Sequence, residues 1–123
     1  MKPRVLRFIG NGVMTTCIHT LVVYLLIKFY VLDIGFVNAL AFLTATSFSY
    51  VVNTKWTFGT QHSSQVMFRY AVVACLGSIL AYLLASFCEA MGLPWWCGVV
   101  LIVAVTPMFT WQAHKSWTYA SLD

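Results

Sequence analysis

Four apolar stretches, at 8–30, 36–52, 66–88 and 95–113, divide the chain, and each is close to the roughly 20 residues that an α-helix needs to cross hydrocarbon. The segments between them are short and polar. Asp33-Ile34-Gly35 and Met91-Gly92-Leu93-Pro94 read as tight turns, and 59–65 as a longer loop. The pattern predicts an all-α fold, an integral membrane four-helix bundle occupying one domain over 1–123. Inside the stretches, polar and small residues return at helical spacing. Asn11, Thr15 and His19 share one face of the first, Asn38, Ala41, Ala45, Ser49 and Asn53 one face of the second, and Ala74, Ser78, Ala81 and Ala85 one face of the third. Small faces let membrane helices approach closely. Strongly polar side chains in hydrocarbon need a partner or a function, so Asn11, His19, Asn38 and Asn53 are candidates either for polar packing or for a polar path. Pro107 removes an intrahelical hydrogen bond and predicts a bend in the fourth span.

Composition agrees with a lipid environment: 61% of the 123 residues are hydrophobic and 8% charged, against about 25% charged in an ordinary soluble domain. In a soluble protein the formal charge of +4 would suggest nucleic acid. Here the basic residues flank apolar runs, so lipid phosphates are the expected neighbours and no nucleic acid is expected. Six of the seven, Lys2, Arg4, Arg7, Lys55, Arg69 and Lys115, fall on one side of the predicted membrane. By the positive-inside rule that side is cytoplasmic, which places both termini inside. Asp33 and Glu89 lie on the other side, where Lys28 snorkels outward. Trp56, Trp95, Trp96 and Trp117 stand at span ends, where indole rings favour the headgroup region. The early basic residues also resemble a signal peptide, but no polar mature domain follows, so the first helix is expected to be retained. Cys17, Cys75, Cys88 and Cys97 read as buried packing residues, with a Cys88–Cys97 disulfide as a lesser alternative.

The chain also matches itself. Phe48-Ser49-Tyr50-Val51-Val52-Asn53-Thr54-Lys55-Trp56-Thr57-Phe58 aligns with Phe109-Thr110-Trp111-Gln112-Ala113-His114-Lys115-Ser116-Trp117-Thr118-Tyr119, and Arg7-Phe8 with Arg69-Tyr70 at a nearly equal interval. Two helix pairs, about 7–58 and 69–119, are therefore predicted as repeats of parallel topology. His114 stands where the first unit has Asn53, and Ser116 where the alignment has Lys55, so the two exits are not expected to play equal roles.

These same residues carry a family resemblance. The Arg-Phe opening, Asn38-Ala39 near the start of the second span, with Val37 where Ala is usual, and the Phe48 to Phe58 exit with its Asn-x-Lys-Trp-Thr-Phe ending are similar to the GtrA family of small bacterial membrane proteins. The resemblance implies a flippase that moves a polyprenyl-phosphate-linked monosaccharide across the bacterial inner membrane for surface polysaccharide synthesis or modification. Arg7, Arg69, Lys55 and Lys115 then form a cytoplasmic ring suited to the lipid phosphate, the arginines through paired hydrogen bonds and the lysines as mobile charges. Asn11, His19, Asn38 and Asn53 would line the sugar's path. Four helices are too few for a wide pore, so the path is expected as a lipid-open groove or a cavity between subunits of a homo-oligomer. The alternative is a membrane anchor that recruits a polyprenyl-phosphate glycosyltransferase through its Trp-Thr-Phe and Trp-Thr-Tyr exits.

No enzyme site is expected. The sequence has no Gly-rich phosphate loop, no paired carboxylates, no Ser/His/Asp set and no metal-ligand spacing, so no catalytic residue, cofactor or metal is assigned. The only acids are Asp33, Glu89 and Asp123. That disfavours a small multidrug exporter, whose proton coupling requires a carboxylate deep in the first helix.

Overall fold

A computed structural model describes residues 3–30, 32–59 and 63–120, and all regular structure among them is helical. Helices α1 (Pro3–Phe29), α2 (Ile34–Val52), α3 (Ser64–Ala90) and α4 (Trp95–Ala113) follow the four apolar stretches. The last turns of the second and fourth spans are π-helical, at Asn53–Thr57 and His114–Thr118. With these turns included, all four helices are long and apolar enough to cross a membrane. The chain is a multi-pass membrane protein. Lys2, loop positions 60–62 and Asp123 lie outside the described residues.

Helix ends are set by local chemistry. Pro3 opens α1, where a missing N–H costs nothing, so the helix starts five residues ahead of the apolar stretch and carries Arg4 and Arg7 beyond it. Asp33 caps α2 by accepting from the Phe36 amide at 3.0 Å, and Ser63 caps α3 by accepting from the Val66 amide at 3.1 Å. Helix α3 ends in a Schellman turn: Leu93 N–H reaches the Cys88 carbonyl, Gly92 N–H reaches Glu89, and Gly92 takes the positive φ of 75° that the turn needs.

The bundle is apolar outside and polar within. Val13, Phe68 and Met108 are 62%, 66% and 75% exposed, whereas Asn11, His19, Asn38, Ser49, Asn53 and Thr54 are buried. Lipid accepts the first set at no cost, and hydrogen bonding within the bundle accommodates the second. Helices α2 and α3 form the central pair, with α1 packed on α2 and α4 packed on α3. Helices α1 and α4 touch only sparingly. Their main apolar join is at the end bearing Asp33 and Glu89, where Val23, Val37, Ala41 and Val99 pack with Leu26, Trp95 and Val103.

Farther along, Phe42 fills the centre with Ala81, Ala85 and Ile102. Its ring lies against Gly77, where an added Cβ would collide with it. Gly77→Ala is therefore expected to lower stability by about 1–3 kcal/mol, the usual range for overpacking. Unfolding in mixed detergent measures this, and an unchanged midpoint would show that the α2–α3 contact can yield.

The expectation of buried cysteines changes for two of the four. Cys88 is buried and Cys97 half-buried, but Cys17 and Cys75 are exposed on the helix surfaces, and all four are free thiols without a disulfide. A thiol behaves as a small apolar group, so a membrane helix can face it outward as readily as inward. Helix α4 continues through Pro107. The missing proline N–H takes away the usual donor to the Val103 carbonyl, and both residues border the groove described next.

Candidate functional site

Because α1 and α4 stand apart, a groove runs between them from the central core toward the basic end. Helix α1 supplies Asn11, Gly12, Thr15, Thr16 and His19, and α4 supplies Thr106 and Thr110. Its floor is formed by Thr46, Ser49 and Asn53 from the second span with Tyr70 from α3. The cavity is about 80 Å³, room for a few waters. The apolar join around Val23 and Val99 closes one end. At the other, the Phe8 and Trp111 rings meet across α1 and α4 with centroids 4.9 Å apart.

Buried polar side chains tie the groove to the second helix. His19 Nε2 lies 3.1 Å from Asn38 Oδ1, and Asn38 Nδ2 donates to the Ile34 carbonyl at 3.0 Å. Asn11 Nδ2 donates to Asn53 Oδ1 at 2.8 Å, and Asn53 Nδ2 donates to the Tyr70 hydroxyl at 3.2 Å. Tyr70 in turn meets Ser49 Oγ at 2.6 Å. All four polar candidates are thus paired, His19 with Asn38 and Asn11 with Asn53. One acceptor is left over: Asn11 Oδ1 is buried and has no protein donor. Such an atom costs about 1–3 kcal/mol while it stays unmet.

The basic candidates gather at the end where the π-helical turns leave the bundle. Arg7 donates to the Trp56 carbonyl at 3.0 Å and lies over that indole at 5.8 Å. Arg69 donates to the Trp117 carbonyl at 2.9 Å and lies over that indole at 5.6 Å. Helix C-termini carry partial negative charge, so each guanidinium sits where a cation is favoured. Lys115 reaches over Trp111 and Arg4 over Phe58, while Lys55 is exposed on the first π-helical turn. An aromatic stack joins these groups, since Phe58 lies flat on Tyr119 at 4.3 Å and 14°. Burial pushes the Tyr119 phenol above its ordinary pKa, so it stays neutral and shares a hydrogen bond with Thr54 at 2.8 Å. Lys28 stands apart at the opposite end over Tyr24 and Phe29.

Contacts at the basic end come in matched pairs. The Arg7–Trp56 contact recurs 62 and 61 residues later (7 to 69, 56 to 117) as Arg69–Trp117. Phe8–Trp111 likewise matches Tyr70–Tyr50, whose rings are 5.0 Å apart. The match ends at Asn53 and His114. Asn53 bridges Asn11 and Tyr70, which leaves Thr57 Oγ1 buried without a partner, whereas His114 stacks on Tyr70 at 4.6 Å and meets Thr118 Oγ1 at 3.0 Å. The polar network is therefore built on one side only.

Several groove residues escaped the sequence reading. Tyr70 was visible only as the counterpart of Phe8, and Ser49 only as part of a small face. Thr46 and Thr106 carry no signal, because threonine satisfies itself by bonding back along its own helix, and Thr110 shows only as a member of the second exit. Among the described residues no group of His, Cys, Asp and Glu is placed to hold a metal ion.

No curated protein and no solved structure matches the chain. The family model described as the GtrA/DPMS transmembrane domain matches residues 7–119, from Arg7 of the basic end to Tyr119 of the aromatic stack. The chain belongs to the GtrA/DPMS transmembrane domain family.

Proposed function

We propose that this protein is a flippase that carries a polyprenyl-phosphate-linked monosaccharide from the cytoplasmic to the outer leaflet of the bacterial inner membrane, with both termini cytoplasmic. Family membership points to lipid-linked sugar translocation. The observation that carries the reading in this chain is the polar groove between α1 and α4, which runs toward the basic end and is capped there by Phe8 and Trp111, with Lys115 over the Trp111 ring. The polyprenyl tail can remain in lipid while the sugar and phosphate move. Unaided, an ionised phosphate crossing low dielectric faces a barrier on the order of tens of kcal/mol. Arg7 and Arg69, with Lys55 and Lys115 beside them, receive the phosphate, and the groove replaces water around the sugar. The paired contacts at the basic end support two repeated units of parallel topology. The sequence carries no energy-coupling motif, and net direction in this reading comes from the gradient set by synthesis of the lipid-linked sugar inside and its use outside.

One observation favours a second reading, an anchor for a membrane glycosyltransferase: Trp56 and Trp117 are 46% and 40% exposed at the basic end and are available for docking. Proteoliposomes containing a fluorescent polyprenyl-phosphate sugar separate the two. The flippase accelerates transbilayer movement with no other protein present. Movement at the rate of protein-free vesicles, with the fold verified, would leave the anchor as the function.

A further inference from the structure

The polar atoms of the groove share a direction that the flippase reading alone does not supply. Thr15, Thr16, Thr46 and Thr106 each donate their only hydroxyl proton to a backbone carbonyl one turn back. What remains on each oxygen is lone pairs. The side-chain chain is directed in the same sense, because its far end is a carbonyl that can only accept. Ser49 donates to the Thr46 carbonyl, so it must accept from Tyr70. Tyr70, its one proton committed, must accept from the Asn53 amide, whose oxygen then accepts from Asn11. Asn11 is left presenting an acceptor, Oδ1, from a residue only 4% exposed. His19 obeys the same logic: Asn38 gives its amide hydrogen to the Ile34 carbonyl, so His19 donates through Nε2, and Nδ1 of the neutral ring is an acceptor. The second amide hydrogens of Asn11 and Asn53 are exceptions, as is the ring N–H of His114, which lines the groove at its basic end; acceptors otherwise predominate.

We propose that the α1–α4 groove is a subsite for an uncharged, polyhydroxylated group, with Asn11 Oδ1 as its specificity-determining acceptor, and that the phosphate of the same lipid stays outside it. Hydroxyl groups bring donors to a groove in which acceptors predominate. A phosphodiester brings only acceptors and would meet lone pairs, so it is held at the basic end while the sugar enters. Tyr70, in the floor of the groove, is a positioning residue: it acts by fixing which face of the Asn53 amide meets Asn11. Asn53 and Asn38 are internal links in this arrangement. The inference rests on the flippase reading for its ligand and adds the direction of the hydrogen bonds.

The test uses the full chain in nanodiscs with farnesyl-phosphate glucose and the analogues in which each sugar hydroxyl is replaced singly by hydrogen or by fluorine. Fluorine keeps an electronegative atom in place and removes the donor. At one ring position or more, both analogues are expected to bind about tenfold more weakly than the parent, the loss of one hydrogen bond to a buried acceptor. In Asn11→Leu that penalty falls to within about twofold. In Tyr70→Phe the Asn11–Asn53 pair is free to reverse and offer N–H to the groove, so the fluorine penalty shrinks more than the hydrogen penalty. A purely structural role for Tyr70 would weaken all ligands alike. Asn11→Leu strands the Asn53 oxygen and can unfold the protein, so the analogue series on the unaltered chain stands as a test by itself. Tight binding of the parent with no loss for any analogue overturns the acceptor subsite and leaves the flippase intact. Failure to bind or move the parent, with the fold verified, overturns the flippase reading and the ligand assignment with it.

Discussion

Replacing Gly12 by phenylalanine is expected to stop transbilayer movement of the lipid-linked sugar while leaving the bundle folded. Gly12 borders the groove on α1, and a Cβ built there meets no atom within 4 Å. A larger side chain therefore extends into the cavity instead of into a helix contact. The cavity is about 80 Å³, so a phenyl ring fills it. A sugar that must displace the ring meets an overpacking penalty of up to about 3 kcal/mol, which corresponds to a fall of roughly a hundredfold. Gly12→Ala adds only a methyl group and is expected to stay within about threefold of the unaltered protein. Rates in proteoliposomes, with thermal unfolding as the control, check both. Unimpaired movement by a folded Gly12→Phe variant would show that the sugar does not pass between α1 and α4.

The contrast between Gly12 and Gly77 shows what could and could not be read in advance. Both are glycines inside apolar stretches, and nothing in their neighbours along the chain tells them apart. One faces a groove and the other the ring of Phe42, because the helices on either side come from distant parts of the sequence. The helices themselves were legible, since roughly 20 apolar residues in lipid leave the backbone no alternative to bonding within its own segment. Their ends were legible less well. Hydropathy marks where hydrocarbon stops, and α1 continues past that point to Pro3 because nothing in Arg4 to Arg7 breaks a helix. The π-helical form of residues 53–57 and 114–118 was not legible, although the exits themselves stood out by repetition.

The polar residues divide in the same way. That Asn11, His19, Asn38 and Asn53 need partners follows from the cost of burying amides and imidazoles in an apolar medium. Which partner each takes depends on the register between helices, and periodicity along one helix cannot supply that. Tyr70 is the clearest case. Its sequence position suggests a ring at the membrane edge, yet its hydroxyl joins Asn53 to Ser49, and its ring packs between Tyr50 and His114. A tyrosine hydroxyl lies far from its own backbone, so Tyr70 on α3 reaches two side chains of the second span at once, one turn apart.

Arg7→Ala and Arg69→Ala are each expected to weaken binding of the polyprenyl-phosphate sugar by about tenfold or more, and the double variant more severely. The case begins with how the two side chains are held. Each donates one hydrogen bond to the carbonyl of a tryptophan at the end of a π-helical turn and lies over that same indole. This fixes the guanidinium plane instead of leaving it to wander, and a fixed fork loses less entropy when it takes a phosphate. A hydrogen bond to a charged group contributes roughly 1.5–3 kcal/mol, so losing one is worth about tenfold at least. The same contacts also permit a plainer role, in which the arginines neutralise helix ends and orient the chain in the membrane. Lysine at either position separates the roles. Arg7→Lys and Arg69→Lys keep the charge that orients the protein but lose the fork, so insertion should be unchanged while binding falls toward the alanine value. Binding in nanodiscs, with cysteine accessibility reporting orientation, reads the two effects independently. If both alanine variants insert normally and hold the lipid as tightly as the parent, the arginines are caps for the helix ends and the phosphate is bound elsewhere.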